Sequence, residues 1–280
     1  MILSIASGKG GTGKTTVAVN LALSLKDTHP IQFLDCDVEE PNAHFFLKPR
    51  ILQSQPVYLP IPDIEEEKCT YCGKCAEVCA YNAIAVLKDN VLVFPELCHG
   101  CGGCHLLCPE QAIREKGQKI GIIESGSSNH MLFLHGKLDI GQALSPPLIR
   151  AVKKQIDPEH NVIIDAPPGT SCPMVESVKR SDFCILVTEP TPFGLNDLRL
   201  AAETVKKLKI PIGVIINRAG IGDNQIQNYC LKENIPILMS IPMDRRIAVA
   251  YSEGKSIVDT QPSYREKLLE LFENVQKGKI

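Results

Sequence analysis

The sequence predicts an α/β domain on a mostly parallel sheet, interrupted by a small cysteine-rich insert. Three observations carry this: short apolar runs alternate with helical stretches, a glycine-rich loop joins the first run to the first helix, and eight of twelve cysteines fall between residues 69 and 108. Runs at 2–6 and 31–34 flank a helix expected over 14–26. After a gap the alternation resumes at 120–123, 162–164, 183–187, 212–216 and 237–240. Helices are expected near 145–155, 195–208, 223–232 and 264–277. Strands with no polar face, separated by amphipathic helices, belong to a sheet covered on both sides.

Charge and composition narrow the class. The 280 residues hold 30 basic against 32 acidic side chains, so no basic excess marks a nucleic-acid or membrane-surface binder. A hydrophobic content of 44 % suits a packed core. No apolar run approaches the roughly 18 residues of a membrane helix, and Met1 leads straight into Ile2-Leu3-Ser4-Ile5 without a secretion signal. The expectation is a cytoplasmic protein with no integral membrane segment and no nucleic-acid partner. Clustered cysteines in such a chain read as metal ligands rather than disulfides.

The cysteine segment differs from its surroundings. Residues 60–117 carry nine acidic against five basic side chains, while 1–59 and 118–280 make up one discontinuous α/β domain. Pro49, Pro56, Pro60 and Pro62 read as a stiff connector into the insert. Cys69, Cys72, Cys75 and Cys79 recur 29 residues later as Cys98, Cys101, Cys104 and Cys108, and Ala83-Ile84 recurs as Ala112-Ile113. Two such halves are expected to pair about a pseudo-twofold axis.

Residues 7–16, Ser-Gly-Lys-Gly-Gly-Thr-Gly-Lys-Thr-Thr, follow the first strand and open the first helix, the context of a phosphate-binding Walker A loop. Gly8, Gly10, Gly11 and Gly13 let backbone N–H groups, with those of Thr12 and Thr16, curl around phosphates at the positive end of a helix. Lys14 is expected on the β- and γ-phosphates and the Thr15 hydroxyl on Mg2+. Lys9 adds a second cation at the mouth of the loop.

The run from Lys9 to Thr16 resembles the deviant-Walker ATPases, P-loop NTPases of the SIMIBI type that include MinD, ParA, the Mrp-type iron–sulfur ATPases and the nitrogenase iron protein. The resemblance spans residues 1–48 and 118–258. It implies ATP with Mg2+ as cofactors, an ATP-dependent homodimer, and Lys9 reaching across the interface to the partner's nucleotide. Asp35-Cys36-Asp37 resembles switch I, which gives Asp37 the task of orienting the attacking water. Asp165-Ala166-Pro167-Pro168-Gly169 resembles Walker B with switch II, and Asp165 would hold a magnesium-bound water. An acid at a strand's carboxyl end does face the ligand crevice of an open α/β sheet. Asn217-Arg218 and Ile241-Pro242-Met243-Asp244 resemble the adenine-binding segments, with Asn217, Arg218, Pro242 and Asp244 as contacts.

The doubled Cys-x2-Cys-x2-Cys-x3-Cys spacing resembles a bacterial two-cluster ferredoxin, an α+β unit. That implies crossed ligation of two [4Fe–4S] clusters, one by Cys69, Cys72, Cys75 and Cys108, the other by Cys98, Cys101, Cys104 and Cys79. Pro109 follows the second motif as in that family, whereas Ala80 replaces proline after the first. His99 and His105 read as loop residues, since cysteines fill all eight positions. Cys184 and Cys230 read as buried small hydrophobes. Cys172 stands seven residues after Asp165, where the nitrogenase iron protein carries a ligand of its bridging cluster, and it is either a structural thiol or a ligand. The last helix mixes both charge signs and reads as docked on the domain rather than on a membrane.

The preferred function couples nucleotide-dependent dimerisation and ATP hydrolysis to electron transfer through both clusters, with a redox or iron–sulfur protein as partner. The alternatives are an iron–sulfur cluster assembly or delivery ATPase, and a MinD/ParA-like positioning ATPase with a structural or redox-sensing ferredoxin module.

Overall fold

The computed structural model describes residues 1–279. β1 (Ile2–Ala6) runs through the glycine loop into α1 (Lys14–Leu25), followed by β2 (Ile31–Asp35) and the single turn α2 (His44–Leu47). β3 (Arg50–Ile64) leads out to the cysteine segment, which holds α3 (Lys74–Val78), β4 (Ile84–Val86), β5 (Val91–Val93) and α4 (Gly103–Leu106). β6 (Ile113–Ser128) brings the chain back to β7 (Met131–Leu138) and α5 (Pro146–Lys153). Alternation then continues through β8 (Asn161–Asp165), α6 (Cys172–Val178), β9 (Phe183–Thr188), α7 (Pro192–Lys207), β10 (Ile212–Ala219), α8 (Gln225–Lys232) and β11 (Ile237–Pro242). Three helices close the chain: α9 (Arg245–Ser252), α10 (Ile257–Thr260) and α11 (Ser263–Gln276).

Nine strands form one sheet in the order β11-β10-β9-β1-β8-β2-β7-β6-β3. From β11 to β7 every pairing is parallel, and β7–β6 and β6–β3 are antiparallel. The central strands β1, β2, β8 and β9 are buried almost throughout, because helices cover both faces. On one side α1 is buried nearly all round, and α11 seals it with Leu268, Leu271, Phe272 and Val275. The last helix is thus docked on the domain. On the other side α6, α7 and α8 cover β9 and β10. Among the described residues no helix is long and apolar enough to cross a membrane.

Two expectations from the sequence are corrected here. Residues 120–123 do not form a parallel strand; they lie in β6, and the parallel neighbour of β2 is β7. His135 and Lys137 made 131–138 look unlike a buried strand, yet His135 is buried in β7 because Glu124 of β6 accepts from its ring at 2.7 Å. The proline-rich connector is itself a strand. β3 is the sheet edge, where a missing N–H costs no ladder bond, so Pro56, Pro60 and Pro62 are tolerated. β3 and β6 form a long ribbon that runs unbroken across positions 59/60 and 117/118, which meet on adjacent rungs.

Candidate functional site

The carboxyl ends of the parallel strands open into a cavity of about 460 Å³, within the range of small-molecule sites. Gly10, Gly11, Gly13, Lys14, Thr15 and Thr16 line its floor. Gly13 begins α1 with φ 96°, and a Cβ there would stand 2.4 Å from Nδ2 of Asn217. That amide donates to the Thr12 carbonyl at 2.8 Å, so Asn217 at the end of β10 braces the loop. Gly8 packs on α7, where a Cβ would meet the Asp197 carbonyl at 2.2 Å. Arg218, Pro242 and Asp244 line the far wall. Asp244 also caps α9, accepting the Arg246 N–H at 2.8 Å.

Asp37 and Asp165 stand beside Lys14, and Asp35 lies against both acids. Asp35 is consumed structurally: its carboxylate accepts the backbone N–H groups of Asp37, Asn42 and Ala43, each at 3.1 Å. That staples the loop after β2 and leaves Asp37 on the cavity wall. Asp165, at the end of β8, is fully buried, and neither carboxylate oxygen has a hydrogen-bond partner. Burial pushes Asp165 up to about 6, opposed by Lys14 and the Thr15 hydroxyl. Asp37 is likewise pushed up to about 6 by burial, with Lys14 opposing. Burial and the charge of Asp165 raise Asp35 well above the carboxylate range. A buried carboxylate with two orphaned oxygens beside a threonine hydroxyl and a lysine fits a hydrated divalent cation. Thr15 and Asp165 are the residues that would hold Mg2+.

The raised Asp165 has a consequence for stability. A carboxyl whose folded pKa is raised contributes stability below its unfolded pKa and loses it as pH rises through about 6. Asp165→Asn removes that loss. The expected result is a nucleotide-free protein stabilised by on the order of 2 kcal/mol at neutral pH, with a much smaller gain near pH 4. Urea melts at the two pH values check this; equal gains at both would rule out titration as the cause.

Lys9 does not line the cavity. Its ammonium pairs with Glu189, just beyond β9, and the same carboxylate accepts NH1 of Arg218 at 2.7 Å. Arg218 also donates to the Gly11 carbonyl at 3.3 Å. Sequence reading missed Glu189, although an acid directly after an apolar strand is the signal that singled out Asp165.

All twelve cysteines are unbridged. The structure gathers Cys69, Cys72, Cys75 and Cys108 around one hollow, and Cys79, Cys98, Cys101 and Cys104 around a second. Backbone donors repeat at the same offset as the cysteines. Tyr71 and Gly100 donate to the sulfurs of Cys69 and Cys98 at 3.4 and 3.5 Å. Ala83 and Ala112 donate to Cys79 and Cys108, each at 3.3 Å. Burial pushes the Cys104 thiol up to about 11 and raises Cys75 and Cys98. Four sulfurs around each hollow, with N–H groups aimed at them, suit a thiolate-held iron–sulfur group. The hollows differ in depth. Pro60 and Pro62 border the second and Ile64 the first, so the first lies farther out along the ribbon. Cys98 is buried in one apolar cluster with Leu59, Ile61 and the α5 residues Leu148, Ile149 and Val152.

His99 stacks on Tyr81 at 3.6 Å, and a ring nitrogen of His105 lies 2.6 Å from the Ile113 carbonyl. Cys172 is exposed at the first position of α6, and Cys36, Cys184 and Cys230 are buried.

A parallel sheet with a glycine loop opening α1, and acids at the ends of β2 and β8, defines a P-loop nucleotide-binding protein. The chain belongs to the CobQ/CobB/MinD/ParA nucleotide-binding family, whose domain matches residues 3–257. Membership of this MinD/ParA-like P-loop ATPase family supports an ATPase activity with Mg2+. An uncharacterized protein of Methanocaldococcus jannaschii is 32 % identical over 262 residues, covering 92 % of this chain and 91 % of the relative. The cytosolic Fe-S cluster assembly factor Nubp2 homolog of Anopheles gambiae is 25 % identical over 280 residues, covering 93 % and 90 %. The septum site-determining protein MinD of Pyrococcus horikoshii, solved with Mg-ADP, shares the fold with a TM-score of 0.62 at 22 % identity, covering 99 % and 96 %.

Proposed function

We propose that this protein couples ATP binding and hydrolysis in a homodimer to electron transfer through two [4Fe–4S] clusters, held by a ferredoxin-like domain inserted at 60–117. The observation that carries this reading is the gathering of each cysteine triplet with the fourth cysteine of the other motif, on a ribbon rooted in the nucleotide-binding sheet. When bound, Mg2+ offsets phosphate charge and each cluster takes up and releases one electron. Lys14 and the N–H groups of residues 10–16 hold the phosphates, while Thr15 and Asp165 orient the metal's shell. Asp37 orients the attacking water, and Lys9 of each subunit reaches the other's nucleotide. Asn217, Arg218, Pro242 and Asp244 face the base.

Coupling is supported by α5. Its Lys153 ammonium donates to the carbonyls of Glu176, Ser177 and Lys179 at 2.9, 2.6 and 2.6 Å, gripping the end of α6, the helix that follows Asp165. The apolar face of α5 belongs to the same buried apolar cluster as Cys98, Leu59 and Ile61. A shift of α6 on nucleotide binding therefore reaches the inner cysteine set first. The expected result is a lower midpoint potential for the cluster on Cys98, Cys101, Cys104 and Cys79 when a non-hydrolysable ATP analogue is bound, because closure around an acidic module disfavours the more negative reduced form. About 59 mV corresponds to a tenfold change for a one-electron couple, and reciprocity requires reduction to weaken analogue binding by the same factor. Redox titration with and without analogue, paired with binding to oxidised and reduced protein, tests both sides. Unchanged potentials and affinities would remove the coupling.

The named Fe-S assembly relative favours a second reading, in which a cluster is cargo. Transfer of iron and sulfide to an apo-ferredoxin in stoichiometric amounts would select it.

A further inference from the structure

We propose that Glu189 is a latch: a positioning residue that keeps Lys9 folded on its own subunit until nucleotide draws the two subunits together. This rests on the homodimer in which Lys9 acts in trans. Glu189 follows β9 in the sequence Thr188-Glu189-Pro190 and is 8 % exposed. Its two oxygens are divided between two cations, Oε1 to Lys9 from the phosphate loop and Oε2 to Arg218 from the end of β10. The residues come from three separate strand ends, so the pairing exists only in the folded chain.

The division of labour is what makes this a latch rather than a static brace. Arg218 lines the nucleotide cavity and holds the Gly11 carbonyl, with a left-handed backbone (φ 53°) that turns its side chain back over the loop. Lys9 does neither; Glu189 is its only hydrogen-bond partner through its ammonium among the described residues. One ammonium cannot serve Glu189 and a phosphate on another subunit at once. Whatever the ion pair contributes to the monomer is therefore subtracted from dimer formation. A buried carboxylate stripped of all cations would be strongly disfavoured. With Arg218 still in place, Lys9 departs without leaving that bare charge. The second cation makes release feasible.

The test is Glu189→Gln, which keeps the shape and removes the charge. Full-length, nucleotide-free protein is treated briefly with an N-hydroxysuccinimide ester, and modification of Lys9 is read by peptide mass relative to the exposed Lys88. In parallel, sedimentation follows dimerisation against the concentration of a non-hydrolysable ATP analogue with Mg2+. The latch predicts Lys9 labelling about threefold to fivefold faster in the variant, and half-dimerisation at an analogue concentration lower by a similar factor, as loss of one partly exposed ion pair implies. Glu189→Asp, which retains the charge, should restore slow labelling. Unchanged Lys9 labelling, or a variant that needs more analogue to dimerise, would overturn the latch. A wild-type protein that stays monomeric with analogue defeats the homodimer reading instead, and the labelling ratio still decides whether Glu189 restrains Lys9. If the glutamine variant does not fold, the wild-type protein decides: Lys9 as reactive as Lys88 without nucleotide would end the proposal.

Discussion

Lys14→Ala is expected to lower ATP turnover by about 10³-fold or more, the scale seen when a group that stabilises transition-state charge is removed. Two effects act in the same direction. The first is loss of the cation that opens α1 on the cavity floor, where the transferring phosphoryl group builds negative charge. The second is electrostatic and reaches the acids. Lys14 is the cation that pulls Asp37 and Asp165 down against burial, and both still stand near 6. Without it their ionised fractions at neutral pH fall, which weakens Asp37 as the proposed acceptor of a hydrogen bond from the attacking water. Nucleotide affinity should fall too, because phosphates then meet the acidic wall at Asp37 and Glu40 with no lysine to offset it. Phosphate release and equilibrium binding of a fluorescent ATP analogue measure the two losses separately. Lys9→Ala provides the contrast: monomer binding is expected to survive while analogue-induced dimerisation and hydrolysis are lost. Turnover by the Lys14 variant above about a tenth of wild type would place the charge elsewhere.

The phosphate loop was legible because its chemistry leaves little choice of residues. Positive φ at Gly11 and Gly13 and a lysine at the start of α1 are local requirements, and local requirements are written as contiguous motifs. Alternation of buried runs and helices likewise exposed the order of β1, β2, β8, β9, β10 and β11. What stayed hidden depends on distant partners. β7 was obscured by His135, which is at home in a buried strand only because Glu124 lies opposite on β6. β3 was obscured by its prolines, which say where a strand can sit in a sheet, at an edge, and not whether it is a strand. Glu189 lies 180 positions from Lys9, and no local pattern announces such a pairing. The role of α5 was invisible for the same reason: Lys153 looks like a solvated lysine until the carbonyls at the end of α6 are placed around it.

Cys79→Ala should abolish one cluster and spare the other, and the one it abolishes is not its neighbour in sequence. Cys79 follows Cys75 at the end of α3, yet its sulfur faces the hollow of Cys98, Cys101 and Cys104. The Ala83 N–H donates to that sulfur and the core around Leu59 and Ile61 packs against Cys79, so the side chain has no freedom to serve the outer hollow. Cys108→Ala should do the converse, since Cys108 takes the Ala112 N–H and faces Cys69, Cys72 and Cys75. Iron and acid-labile sulfide are each expected at about eight per chain in the intact protein, falling toward about four in either variant. The two variants should be equal in iron content and distinct in behaviour. The linings of the two hollows touch the ribbon two to four rungs apart, Pro60 and Pro62 for one and Ile64 for the other. At about 3.3 Å per residue that is about 7–13 Å, close enough for two reduced clusters to couple magnetically. Electron paramagnetic resonance of the reduced wild type should therefore show a spin-coupled signal, and each variant a simple one. Only the Cys108 variant, which keeps the inner cysteine set that shares an apolar cluster with α5, should retain a nucleotide-dependent potential. If Cys79→Ala and Cys75→Ala extinguish the same signal, ligation is local rather than crossed; zinc in place of iron would remove the redox reading with it.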